Sequence, residues 1–293
     1  MAKARALDRR RGSIRSIRKI TRTMELIATA RFRRAMDRAI AATEYTKRVT
    51  ALVGHLARGG QEVVHPLLQP RPEPKRAVLL VLSANRGLCA GYNGNIIRLA
   101  TARLKELRES VPSVRLEVAG KRGISAFRFR RMPPDESFTH FEDKPSFAEV
   151  DVLSTRYLDD FAAGALDRLD VVYTKFENAS HQQATLETLL PLGELAGGEE
   201  EKETSGQTQY EFLPSAKMIL DEVVPMSFRV KLFKCFLDAA VSEQIARMVA
   251  MKAATENADG MISQLSMAYN RARQGQITGE LLEIIGGAEA IND

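Results

Sequence analysis

The sequence predicts an α/β-plus-coiled-coil fold: a long helix at each end of the chain, the two paired antiparallel, with a compact α/β domain inserted between them. Three observations carry this. All eleven prolines of the 293 residues lie between Pro66 and Pro225. Proline in a helix interior costs about 3 kcal/mol, so the proline-free ends permit long helices. Glycine follows the same division: Gly12 is the only one before Gly54, and Gly260 the only one between Met226 and Gln274. The middle instead alternates short apolar runs with segments of helical spacing. The expected segments are 1–58, 75–214 and 215–293.

In the first segment, Ile14, Ile17, Thr21, Met24, Ala28 and Ala35 follow the three-and-four spacing of a coiled-coil seam. Arginines fill the other faces. Beyond Met24 the seam is small, with Ala28, Ala35 and Ala42, so a partner helix can approach closely. Arg31 and Arg38 interrupt strict heptads. A helix over residues 3–57 would be roughly 80 Å long at about 1.5 Å per residue, more than its own domain could cover.

In the middle segment, a proline-rich linker from Pro66 to Pro74 precedes a strand-type run, Val78 to Leu82. The loop Ser83 to Asn95, SANRGLCAGYNGN, leads into a helix over Ile96 to Leu107. Val114 to Val118 and Val171 to Phe176 read as further strands, with a helix over Ala148 to Leu169 between them. This alternation predicts a small parallel, Rossmann-like sheet. Gly193 to Gln209 is acidic, glycine-rich and poor in apolar residues, and reads as a surface loop. The glycine loop sits where a phosphate loop would. Its spacing, Gly87, Gly91 and Gly94, is GxxxGxxG and not GxGxxG, and no GxxxxGK[ST] occurs. It reads as a tight turn.

In the last segment the stripe runs through Phe228, Leu232, Cys235, Ala239, Ser242, Ala246, Val249 and Ala253. It resumes past Gly260 at Met261, Leu265 and Ala268. The expected helix, Met226 to Gln274, would be roughly 70 Å long.

Charge is concentrated at one end. Residues 1–58 hold sixteen Lys/Arg against four Asp/Glu, while residues 215–293 hold eight against ten. A basic arm on a near-neutral body calls for an acidic partner or a solvated face. No run of 18 apolar residues exists, which excludes a membrane-spanning helix. The Arg-rich first thirty residues lack a signal-peptide core and leave a transit peptide as the competing reading. Two cysteines and no tryptophan argue against a disulfide framework and an aromatic stacking platform for nucleic acid. His55, His65, His140 and His181 are scattered without metal-ligand spacing. No catalytic motif and no cofactor motif is visible.

Three stretches carry a resemblance. Lys252 to Asn257 reads KAATEN and Tyr269 to Glu289 reads YNRARQGQITGELLEIIGGAE. Ile14 to Arg34 contains KITRTMELIATARFRR, and Ser83 to Asn95 matches an SDRGLCGG-type loop. Together they resemble the gamma subunit of F-type ATP synthases, in the family's order and over nearly the whole chain. The resemblance implies a central rotating stalk whose terminal helices pair inside a ring of three alpha and three beta subunits. Its α/β domain would seat on the epsilon subunit and the c ring, and proton flow would turn it. It implies no catalytic residue, no cofactor and no nucleic-acid partner.

The resemblance also assigns residues. Arg22, Met24, Arg31, Arg33 and Arg34 would pass the acidic segment of the beta subunit. Arg273, Gln274, Thr278 and Glu280 match polar positions of the shaft-to-beta contact. Leu282, Ile285, Ala288 and Ile291 would run in an apolar sleeve as a bearing. Arg86, Gly87, Cys89, Gly91 and Asn93 form the family's loop motif. Asn85 stands where the family usually has Asp, Ala90 where it often has Gly, and Gly279 where it has Gln. Cys89 and Cys235 lie 146 positions apart, so the thiol control of chloroplast members is not expected. The start on the family's first helix favours a bacterial protein, held peripherally at the cytoplasmic face of the inner membrane. The alternatives are a basic coiled-coil nucleic-acid-binding or structural protein, and an α/β enzyme with helical arms.

Overall fold

A computed structural model describes residues 2–58, 65–69, 71, 73–141, 144–192 and 216–292. The long helices are α1 (Ala2–Arg58) and α5 (Ala216–Asn292). Between them come β1 (Arg76–Leu82), α2 (Tyr92–Ser110), β2 (Ser113–Ala119), α3 (Lys121–Phe129), β3 (Glu136–Phe138), α4 (Phe147–Ala162), β4 (Arg168–Asn178) and β5 (His181–Leu190). The stretch 193–209, read as a surface loop, lies outside the described residues.

The sheet has the order β3-β2-β1-β4-β5. Strands β1 to β4 are parallel, but β5 runs antiparallel to β4, so the sheet is mixed and not the expected parallel one. The cause is a tight turn at Ala179 and Ser180. The Asn178 side-chain oxygen accepts the N–H groups of Ser180 (2.9 Å) and His181 (2.9 Å) and folds the chain straight back. The polar sequence of β5, HQQATLETLL, hides it from apolar pattern reading.

β1 is buried on both faces because its alternate residues serve two cores. Val78, Leu80 and Leu82 pack with α4 and the first half of α5, against Tyr157, Phe161, Phe228 and Leu232. Ala77, Leu79 and Val81 pack with α2 and α3, against Ile96, Leu104 and Phe127. The helix expected to reach Leu169 stops at Ala162. Gly164 has φ +73, and β4 starts at Arg168. Its start is set by a capping box between Ser146 and Glu149.

Helix α3 and the short β3 were not read from the sequence. α3 closes in a Schellman motif: Met132 N–H donates to the Phe127 carbonyl (3.0 Å) and Arg131 N–H to that of Arg128 (3.0 Å). Arg131 therefore takes φ 60, a left-handed conformation that costs a residue with a Cβ roughly 1–2 kcal/mol. Ala90, φ 46, bears the same strain.

The chain divides into two compact units, Met1–Thr29 with Arg247–Asp293, and Ala30–Ala246. In the first, Thr255 Oγ1 donates to Thr21 Oγ1 (2.8 Å), Arg18 pairs with Asp259, and the Arg11 guanidinium lies 4.8 Å over the Tyr269 ring. Partner numbers rise on one helix as they fall on the other, so the pairing is antiparallel. In the second, Ala35 and Ala39 of α1 form one buried cluster with Leu237, Val241 and Ile245 of α5.

Two expectations about α5 need correction. It begins before Pro225, not after it. Leu220, Val224 and Phe228, one turn apart, are all fully buried, and that burial offsets the backbone bond proline forgoes. The seam also changes face. Phe228, Leu232, Cys235, Ala239 and Ser242 are buried, but Val249 and Ala253 are exposed. Met251, Thr255 and Ala258 are buried in their place. Residues 241–245 are buried on every side, so no single stripe passes through them. On α1, Thr21, Ala28 and Ala35 are buried as expected, while Ile17 is half exposed.

Candidate functional site

The residues assigned by resemblance fall into three groups. On α1, Arg22 is exposed and its Nη1 reaches both oxygens of Glu25 (2.9 Å each), a pair on the helix's own surface. Met24 and Arg31 are half-buried, while Arg33 and Arg34 face solvent. On α5, Arg273, Gln274, Thr278 and Glu280 are all exposed, and Glu280 accepts from Gln276 Nε2 (2.8 Å). Leu282 and Ile285 are 64% and 57% exposed, an apolar surface free of cover in the single chain. Ala288 and Ile291 lie on the helix backbone, and their side chains are outside the described ones.

The third group is the glycine loop. Asn93 organises it: its Oδ1 accepts the Ala84 N–H (3.0 Å) and its Nδ2 donates to Cys89 Sγ (3.1 Å). Cys89 is buried, and its carbonyl accepts the Tyr92 N–H (3.1 Å). Tyr92 then donates through its hydroxyl to the Ala239 carbonyl on α5 (3.0 Å). Asn85 donates to the Phe141 carbonyl (2.7 Å) and accepts from Lys121 N–H (3.1 Å). A carboxylate could only accept, so the amide suits this position. Arg86 is exposed, as is Gly91, which precedes α2. A Cβ at Gly87 would sit 3.0 Å from Arg122 Nη2.

This geometry explains why a nucleotide-type crevice is closed. In open α/β sheets, ligands bind beyond the carboxyl ends of the strands. Here Phe236, Ala239, Ala240 and Glu243 of α5 occupy that space against Ser83, Asn85 and Gly120. What remains is a cavity of about 40 Å³, room for a water or two and far below ligand size. Gly120 lets the two loops close: at φ +99 a Cβ there would lie 2.0 Å from the Ser83 carbonyl oxygen. Among the described residues, no group of three or more His, Cys, Asp or Glu is placed to hold a metal.

Sequence reading missed how firmly α5 is tied to the sheet. Tyr173 on β4 donates to Glu187 on β5 (2.7 Å), and Lys231 of α5 pairs with Glu187 (3.2 Å). Burial raises the Glu187 carboxyl, but the charges and hydrogen bonds of Lys231 and Tyr173 outweigh it and hold the group below its usual range. Ser242 donates to the Thr174 carbonyl (3.2 Å), and Arg229 pairs with Asp151 of α4 (2.8 Å). Lys234 covers Asp238, whose carboxyl is pushed up by burial. The available signal was the recurrence of Lys231, Lys234 and Asp238 inside an otherwise apolar helix face. A second set, buried Glu117 and Tyr157 with half-buried Arg156, ties β2 to α4.

A family model described as ATP synthase matches residues 3–291. The ATP synthase gamma chain of Rhodopirellula baltica is 59% identical over 295 residues, covering 99% of each chain. That of Leptospira biflexa is 37% identical over 293 residues, covering 100% of each. Among solved structures, a chain of the Euglena gracilis mitochondrial ATP synthase, OSCP/F1/c-ring, matches 99% of this chain and 95% of its own at TM-score 0.64 and 20% identity. One from the rotor of the same enzyme matches 94% and 99% at TM-score 0.62 and 16% identity. Those two establish the fold: long terminal helices around a mixed sheet. The identity sustained over the full chain settles the family: this protein belongs to the ATP synthase gamma chains, the non-catalytic central-stalk subunits of the F-type enzyme.

Proposed function

We propose that this chain turns as the central stalk of an F-type ATP synthase and carries torque from the c ring to the catalytic beta subunits. The observation that carries this most directly is the 59% identity to a gamma chain along essentially the full length. The fold suits the task. One helix, α5, is tied by side chains to the α/β sheet and also pairs antiparallel with α1. A load on the domain is thus borne by a continuous hydrogen-bonded helix and not by a loop.

The partners are the alpha and beta subunits of the ring, the epsilon subunit and the c ring. None of the described helices is long and apolar enough to cross a membrane. The chain is a peripheral part of the complex, and its bacterial relatives support the cytoplasmic face of the inner membrane. The inserted domain reads as a Rossmann-like variant with an antiparallel edge, and the segments 1–58, 75–214 and 215–293 as its functional divisions. Arg22, Met24, Arg31, Arg33 and Arg34 form the basic track that faces the beta subunits. Arg273, Gln274, Thr278 and Glu280 are the polar contacts that pass force to the ring. Leu282, Ile285, Ala288 and Ile291 are the bearing, where non-directional apolar contact lets the helix turn without breaking specific bonds. The loop around Arg86, Gly87, Cys89, Gly91 and Asn93 braces the domain against α5.

Purification of the tagged chain in mild detergent tests the reading. Alpha, beta, epsilon and c subunits are the expected companions, with magnesium-dependent ATP hydrolysis in the same fraction. A chain that purifies alone, or with nucleic acid, would refute it.

A further inference from the structure

The carboxyl end of α3 holds a surface whose residues the stalk reading leaves unassigned. Residues 121–131 read KRGISAFRFRR, five cations among eleven residues with no acidic side chain. Lys121, Arg122, Arg128, Arg130 and Arg131 are all exposed, and none is in an ion pair with a described residue. Arg130 donates to Thr101 of α2 (2.9 Å), which sets it beside α2, where exposed Arg98 lies one turn earlier. At the opposite end of the helix, Arg122 lies against Gly87, next to exposed Arg86. Between Arg128 and Arg130 in sequence, Phe129 is 89% exposed. The helix ends with Arg131 in a left-handed position that glycine would take without strain. A guanidinium is thus kept where the backbone disfavours any side chain.

We propose that the end of α3 is a docking surface for a carboxylate-rich protein segment with an apolar recess for Phe129. The cations at this end of the helix, Arg98, Arg128, Arg130 and Arg131, are all arginines. The planar guanidinium donates two parallel N–H bonds to one carboxylate, a geometry that ammonium groups lack. Arginine and phenylalanine are also enriched at protein interfaces. One exposed aromatic is too little apolar anchor for a bilayer and no stacking platform for single-stranded nucleic acid. The proposal rests on the chain being built into a multi-subunit assembly, which brings such a segment within reach.

The test places a photo-reactive phenylalanine analogue at position 129 of the full chain, in cells that make it. After irradiation the chain is recovered in mild detergent and its adducts are sequenced. A cross-link to a protein segment rich in Asp and Glu is expected, with a yield reduced at least tenfold by the double change Arg128→Glu and Arg130→Glu. Arg131→Gly provides a second reading. It should raise the melting temperature of the purified chain yet lower the cross-link yield severalfold. An adduct with lipid or nucleic acid, no adduct, or a yield indifferent to these changes overturns the docking surface, whether or not alpha and beta subunits are recovered. Recovery of the acidic adduct without those subunits would overturn the stalk reading and leave the docking surface standing.

Discussion

Replacing Ala39 by leucine tests the close approach of the two long helices. Ala39 is 1% exposed and packs against Leu237, Val241 and Ile245 of α5. Leucine adds three carbons where the alanine Cβ already meets these side chains. If there were room, burying them would stabilise the fold by about 1.5–3 kcal/mol. With no room, the helices must separate or the side chains leave their rotamers, at a net cost of about 1–3 kcal/mol. A loss of about 2 kcal/mol lowers the folded-to-unfolded ratio roughly thirtyfold. The adjacent Ile40 is exposed, so Ile40→Leu serves as the control and should stay within about 0.5 kcal/mol of the parent. Urea unfolding of both variants, followed by far-ultraviolet circular dichroism, measures the difference. Equal midpoints for Ala39→Leu and the control would refute a seam set by small residues.

Other expected outcomes follow from single sites. Asp167 is raised by its burial, but the N–H of Lys75, the Arg71 guanidinium and the N–H of Arg76 outweigh this and hold its carboxyl below the usual range. Its stabilisation is therefore full above the unfolded carboxylate pKa, about 3.9, and lost as pH falls through the lower folded value. Asp167→Asn should cost about 1.5–3 kcal/mol at neutral pH, a deficit that narrows in acid, as denaturation at graded pH will show. Ala90→Gly should stabilise the chain by about 0.5–1 kcal/mol, since relief of the left-handed strain exceeds the added chain entropy; a lower melting temperature would contradict this. Cys89 and Cys235 are both buried, and burial together with Glu187 and Asp238 pushes the Cys235 thiol up. Neither should react with a thiol reagent at neutral pH until the chain is unfolded. Removing Gly287 to Asp293 should lower assembly but leave ATP hydrolysis in the complex that forms, whereas truncation before Arg273 should do more damage, as ATPase and rotation assays on a graded truncation series of the reconstituted complex will show.

The terminal helices were legible because proline and glycine leave a one-dimensional trace. Thr21, Ala28, Phe228 and Leu232 stood on the faces that spacing assigned. The reading failed where a helix has neighbours on several sides: past Val241 no stripe marks the seam, and Val249 was placed inward although it is 56% exposed. β5 was hidden because a strand with one solvated face and a polar sequence lacks an apolar run. α3 was hidden because its nine residues carry few apolar side chains beyond Ile124 and Phe127. The site residues were legible only through the family motif. Nothing in the spacing of Arg273, Gln274 or Thr278 distinguishes a force-bearing contact from a solvated helix face.

The stalk account is tested most directly by watching the chain turn. The complex would be fixed to a surface through its beta subunits, with a bead attached through a cysteine placed at Val152, an exposed position on α4. ATP should drive the bead in one direction, in three steps per turn, one for each beta subunit. ATP hydrolysis at full rate with a bead that stays still, or that moves without direction, would contradict the account.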